Sequence, residues 1–71
     1  MKVILKIRFN ASRESFEKFG QNRYFLYLSN PEHEHSSQII VKILSRKLGV
    51  PPEKINFAFK DNTGNWVFDV E

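Results

Sequence analysis

Ser36-Ser-Gln-Ile-Ile-Val-Lys-Ile-Leu-Ser-Arg-Lys-Leu48, followed by Gly49-Val-Pro-Pro-Glu-Lys-Ile-Asn-Phe-Ala-Phe-Lys60, is the stretch on which the fold turns. Ile40, Ile43, Leu44 and Leu48 recur at i, i+3, i+4 and i+8, with Ile39 at their flank and Lys42, Arg46 and Lys47 projecting elsewhere. That is one apolar stripe on a helix. Gly49 suits a left-handed cap, and Pro51-Pro52 cannot continue the helix. From Lys54 to Lys60 the period becomes two, with Ile55, Phe57 and Phe59 expected on one face. Asp61-Asn-Thr-Gly64 then supplies turn residues, and Trp66, Phe68 and Val70 alternate on the return, which makes a hairpin.

Upstream, Met1, Val3, Leu5, Ile7 and Phe9 occupy odd positions while Lys2, Lys6 and Arg8 fall on even ones, the pattern of a strand with one basic face. Asn10 to Ser15 is rich in turn formers, and Phe16 and Phe19 stand three apart before Gly20, which reads as a loop with at most one helical turn. Arg23 to Ser29 is rich in strand formers, with Tyr24, Leu26 and Leu28 on one side and Arg23, Phe25 and Tyr27 on the other. Asn30-Pro31-Glu32 resembles a helix start, and Ser36 or Ser37 is a competing cap.

The expected order is β-β-α-β-β over residues 1–71: a single two-layer α+β domain with one main helix on one face of a four-stranded mixed sheet. Its core should contain Val3, Leu5, Ile7, Leu26, Leu28, Ile40, Leu44, Leu48, Ile55, Phe57 and Phe68. Trp66 belongs to the core or its rim.

Seventy-one residues make one small domain, which buries only about 60% of the surface its unfolded chain exposes. At 41% hydrophobic and 27% charged, the composition is globular rather than disordered. No cysteine is present, so disulfides, thiolate catalysis and cysteine-based zinc sites are excluded. Lys2, Lys6 and Arg8 interrupt what could otherwise pass for a signal peptide, and no run approaches the ~18 apolar residues of a membrane helix. A cytoplasmic protein without membrane contact is the expectation. The net charge of +3 suits loose contact with polyanions but is equally an ordinary solubility charge.

Val3-Ile-Leu-Lys-Ile-Arg-Phe-Asn-Ala-Ser-Arg13 resembles the first strand and the Pro-Asn-Ala-Ser-Arg-type loop of the YggU-like family, with Phe9 where Pro is usual. Leu44-Ser-Arg-Lys-Leu-Gly-Val-Pro-Pro-Glu-Lys-Ile55 is similar to that family's helix exit and Gly-Val-Pro turn. These are small single-domain proteins of unestablished role, so the resemblance implies a fold rather than an activity. The family's Gly-Lys-Ala-Asn and Ser-Arg-x-Lys motifs are not retained; Glu34-His35-Ser36-Ser37, and Lys60, Thr63-Gly64 and Trp66, stand there instead. Lys47 to Phe57 also resembles the helix exit of ubiquitin-like β-grasp domains, which open with a β-hairpin and then a helix. The chain ends Asp69-Val70-Glu71 rather than Gly-Gly, so carrier chemistry is not implied.

Glu32-His33-Glu34-His35 brings imidazoles and carboxylates together, but neighbours at i and i+2 diverge on a helix and no third histidine exists. No metal and no other cofactor is expected. Ser36 and Ser37 lie near His35 only in sequence, and no nucleophile elbow or phosphate-cradling glycine loop is present, so the chain reads as non-enzymatic. The basic and aromatic sheet face is the better candidate. Lys6, Arg8, Arg23, Phe25 and Tyr27, with Arg13 in the loop beyond, interleave cations and rings as single-stranded nucleic acid or RNA requires. Competing with that reading, Phe25 and Tyr27 could pack under the Phe16/Phe19 loop, or the face or an edge strand could meet a protein partner or a second copy.

Overall fold

The computed structural model describes residues 1–71 and carries five strands, not four. In chain order they are β1 (Lys2–Arg8), β2 (Ser15–Gly20), β3 (Arg23–Tyr27), the helix α1 (Ser36–Leu48), a 3-10 turn at Pro52–Lys54, β4 (Ile55–Lys60) and β5 (Trp66–Val70). The class is α+β, with the helix against one face of a mixed sheet ordered β2-β3-β1-β5-β4. β1 lies parallel to β3 and antiparallel to β5. β2 and β4 form the edges, each antiparallel to its neighbour. Because β1 pairs with β3 and β5, the chain does not open with a hairpin, and the β-grasp alternative is excluded.

The additional strand is the segment expected to be a loop. Phe16 pairs with Leu26 on the helix side of the sheet, whereas Phe19 lies beyond Lys18 where the register slips. The two rings therefore sit on opposite faces: Phe16 stacks on Tyr24 at 4.8 Å, and Phe19 packs at a tilt against Phe25 at 4.3 Å. With Glu17 and Lys18 between them, neither face of this edge strand alternates in a readable way. Asn22, at φ 57°, takes the left-handed position of the turn into β3, which asparagine tolerates better than most residues.

The helix begins at Ser36, not at Asn30. Residues 28–30 continue the pairing of β3 instead: the Leu28 N–H donates to the Arg8 carbonyl at 2.8 Å, and the Leu28 and Asn30 carbonyls accept from Ala11 and Asn10 at 2.8 and 3.0 Å. Backbone held in that way cannot also wind a helical turn. Nor do the serines cap with their side chains. Ser36 is buried, its Oγ accepting the His33 N–H at 2.8 Å, and His35 occupies the N-cap without a side-chain bond. The helix exit is as expected: Gly49 at φ 70° donates its N–H to the Ser45 carbonyl.

Between helix and sheet lie Val3, Leu5, Leu26, Leu28, Ile40, Leu44, Ile55 and Phe68, all buried as expected, joined by Ile43, Trp66 and Val70. Ile7 and Leu48 are only partly covered, at the margin of that layer. Phe57 is 40% exposed, although its ring still leans on Phe68 and Trp66 at 5.4 and 5.2 Å. Phe59 is not on the core face. A register shift between Phe57 and Phe59 inserts Ala58 as a bulge and sets Phe59 opposite Val67 on the far side of the sheet, 48% exposed. No helix is long and apolar enough to cross a membrane.

Candidate nucleic-acid interface

The parallel register of β1 and β3 builds the site. Residues paired across neighbouring strands share a face, and the pairs Ile4 with Arg23, Lys6 with Phe25 and Arg8 with Tyr27 all fall on the side away from the helix. β5 continues this face with Asp69 beside Lys2 and Val67 beside Ile4. Phe59 of β4 extends it past Val67, and Glu17 and Ser15 of β2 extend it past Phe25 and Tyr27. No element covers this side.

Its chemistry is a field of rings with cations between them. Phe19, Tyr27 and Phe59 stand 40%, 37% and 48% exposed, and Phe25 lies half-buried against Phe19. The Lys6 ammonium is 6.0 Å from the centre of the Phe19 ring, and Lys2 is 5.8 Å from that of Phe59. Lys2 also bonds Asp69 at 3.2 Å, an exposed pair that balances one of the face's two acids, Asp69 and Glu17. Lys6, Arg8 and Arg23 make no ion pair. Val67 is buried on this side, in register with Ile4 and Phe59, so the middle of the face has an apolar floor.

Five of the six residues expected from sequence, Lys6, Arg8, Arg23, Phe25 and Tyr27, thus come together on one uncovered surface. Arg13 lies in the loop joining β1 to β2, outside the strand register that defines the face and two residues from Ser15, the partner of Tyr27. Lys2 lies on the basic side expected of β1, whereas Phe19, Phe59 and Ile4 were not anticipated. Lys2 and Ile4 follow from the parity of β1, whereas Phe59 depends on a bulge and Phe19 on a strand that gives no alternating signal. Of the competing packings, only half occurs: Phe19 covers part of Phe25, Phe16 turns to the other side, and Tyr27 stays exposed.

On the helix side, a groove of about 600 Å³ opens beside Trp66. Lys60 reaches across it, 4.4 Å from the centre of the Trp66 ring and 2.6 Å from Glu32 Oε2. His33 faces the same groove, but its Nδ1 accepts the His35 N–H at 3.0 Å, and no cluster of three or more His, Asp or Glu side chains converges there. The Asp61 loop is similarly self-satisfied. Asp61 Oδ1 accepts from Thr63 Oγ1 at 2.8 Å and from the Thr63 and Asn65 N–H groups at 2.9 Å each. The Thr63 hydroxyl first, and the backbone second, hold its carboxyl below the ordinary value of 3.8.

No family model, curated protein or solved structure matches the chain.

Proposed function

We propose that the open sheet face binds single-stranded RNA, with Lys6, Arg8 and Arg23 attracting phosphates and Phe25, Tyr27 and Phe19 stacking bases. The observation that supports this most is the side-by-side register of Lys6 with Phe25 and Arg8 with Tyr27 on a surface that nothing covers. Cations fix a flexible backbone without reading sequence, and rings accept any base through its π-face. The expected preference is therefore for unpaired strands over duplex, with little sequence discrimination. In this reading the protein is a non-catalytic cytoplasmic binder, and Arg13 adds a cation at the Tyr27 end of the face. Kinship with the YggU-like proteins is proposed on the segments Val3–Arg13 and Leu44–Ile55 and contributes no ligand.

A protein partner or a second copy is the rival occupant. Against edge pairing, both edge strands carry register shifts, at Lys18/Gly20 and Phe57/Phe59, and such bulges discourage strand addition. Against burial of the face in a dimer, three unpaired cations lie among its rings, and burying them costs more than the rings return. The test is fluorescence anisotropy of a labelled mixed-sequence RNA titrated with protein. Phe25→Ala and Tyr27→Ala should each weaken binding by about fivefold or more, since a stacked base is worth ~1–3 kcal/mol. Absence of binding at low salt, with a concentration-dependent dimer in sedimentation, would replace this reading by the rival one.

A further inference from the structure

We infer that the face carries two separate stacking platforms, one toward each edge of the sheet, and that its ligand is a single strand of about five nucleotides crossing the strands diagonally. This rests on the nucleic-acid reading above and specifies the length and path of the ligand. One platform is the Phe19–Phe25 pair on β2 and β3, and the other is Phe59 on β4. β3 and β4 are three strand spacings apart, about 14 Å at ~4.8 Å each. Through β5, Phe59 is level with Ile4, while Phe25 is level with Lys6, an offset of two residues or about 6.6 Å along the strands. The platforms therefore lie about 16 Å apart on a diagonal.

What lies between them favours a nucleic acid chain over two unrelated contacts. Ile4 and the buried Val67 form an apolar floor at the middle of the diagonal, and Lys2 and Lys6 flank it on β1. Each lysine leans toward a different platform, Lys2 toward Phe59 and Lys6 toward Phe19. A strand running this way meets ring, cation, floor and ring, with the Lys2 ammonium reaching the Phe59 end from two residues past its level. At the ~3.4 Å stacked rise per nucleotide, 16 Å is about five steps and so about six nucleotides, or about five once bases splay onto the rings. A trinucleotide engages one platform only.

The test is anisotropy with labelled oligouridylates of three to eight nucleotides against the wild type, Phe59→Ala and Phe59→Trp. Affinity should climb to about five or six nucleotides and then flatten. Phe59→Ala should cost the octamer about fivefold or more and leave the trimer unchanged, because one stacked base is worth ~1–3 kcal/mol. Phe59→Trp should retain octamer affinity, and thermal melting of both variants reports that the fold is intact. If trimer and octamer bind alike and Phe59→Ala affects neither, the two-platform footprint is overturned while nucleic-acid binding through Phe25 stands. If no length binds, both fall together.

Discussion

Replacing Lys6 and Arg8 by alanine should change how RNA affinity depends on salt, and by an amount the geometry fixes. Four cations occupy the open face: Lys2, Lys6, Arg8 and Arg23. A single strand releases counterions so that log K falls with log salt at about −0.7 per phosphate neutralised. With all four engaged the slope is about −2.8, and with Lys2 committed to Asp69 it is about −2.1. Between 50 and 200 mM salt this is a loss of roughly 20- to 50-fold in affinity. Each of Lys6→Ala and Arg8→Ala should flatten the slope by about 0.7, and the double variant should lose only some three- to sevenfold over the same range. Lys47→Ala, an exposed cation on the helix at the opposite side of the sheet, is the control and should leave the slope unchanged. The assay is anisotropy of a labelled octamer at five or six salt concentrations. A wild-type slope near zero, or a Lys47→Ala effect equal to that of Lys6→Ala, would refute the placement of the ligand on this face.

Two further outcomes concern the scaffold. Phe68 is fully buried at the centre of the core, so Phe68→Ala should cost about 3–5 kcal/mol in urea unfolding, a third or more of the roughly 4–10 kcal/mol a chain of this length holds; a loss below about 1.5 kcal/mol would contradict the described packing. Asp61 has a lowered folded pKa, so its ties to Thr63 and Asn65 are fully present above 3.8 and are released as pH falls through the lowered value. In an NMR pH titration its carboxylate should show a midpoint below 3.8, moving together with the Thr63 and Asn65 amides; a midpoint at or above 3.8 would contradict the loop geometry.

Elements with a single dominant period were legible in the sequence. The helix body from Ile39 to Leu48 and the strand from Lys2 to Arg8 each bury one face and solvate most of the other, so their patterns repeat, broken in the strand by Ile4. β2 was not legible, because an edge strand with Phe16 on one side and Phe19 on the other, and Glu17-Lys18 between, has no buried face to impose alternation. β4 misled in a different way. Its alternation from Ile55 to Phe59 is real in sequence, but the bulge at Ala58 restarts the count and turns Phe59 outward. The helix signal at Asn30-Pro31-Glu32 was local, and it lost to hydrogen bonds with Asn10 and Ala11, residues about twenty positions away.

The candidate face was legible to the extent that it depended on parity within one strand. Lys6 and Arg8 on β1, and Phe25 and Tyr27 on β3, follow from counting by two. That the two strands lie parallel and side by side, which makes pairs of these residues, is a matter of long-range register that no local pattern carries. Phe19 and Phe59 were hidden by the same irregularities that hid their strands. Trp66 became core because the hairpin folds it between Phe9 and Phe57, at ring distances of 6.0 and 5.2 Å.

The most direct test of the central claim is a map of NMR shifts in the 15N-labelled protein as an unlabelled octamer of single-stranded RNA is added. The shifts should concentrate on Lys6, Arg8, Phe19, Arg23, Phe25, Tyr27 and Phe59, fade when salt is raised to 200 mM, and leave the helix residues Lys42 to Lys47 in place. Shifts confined to the helix and the Lys60 groove, or none at saturating RNA in low salt, would contradict it.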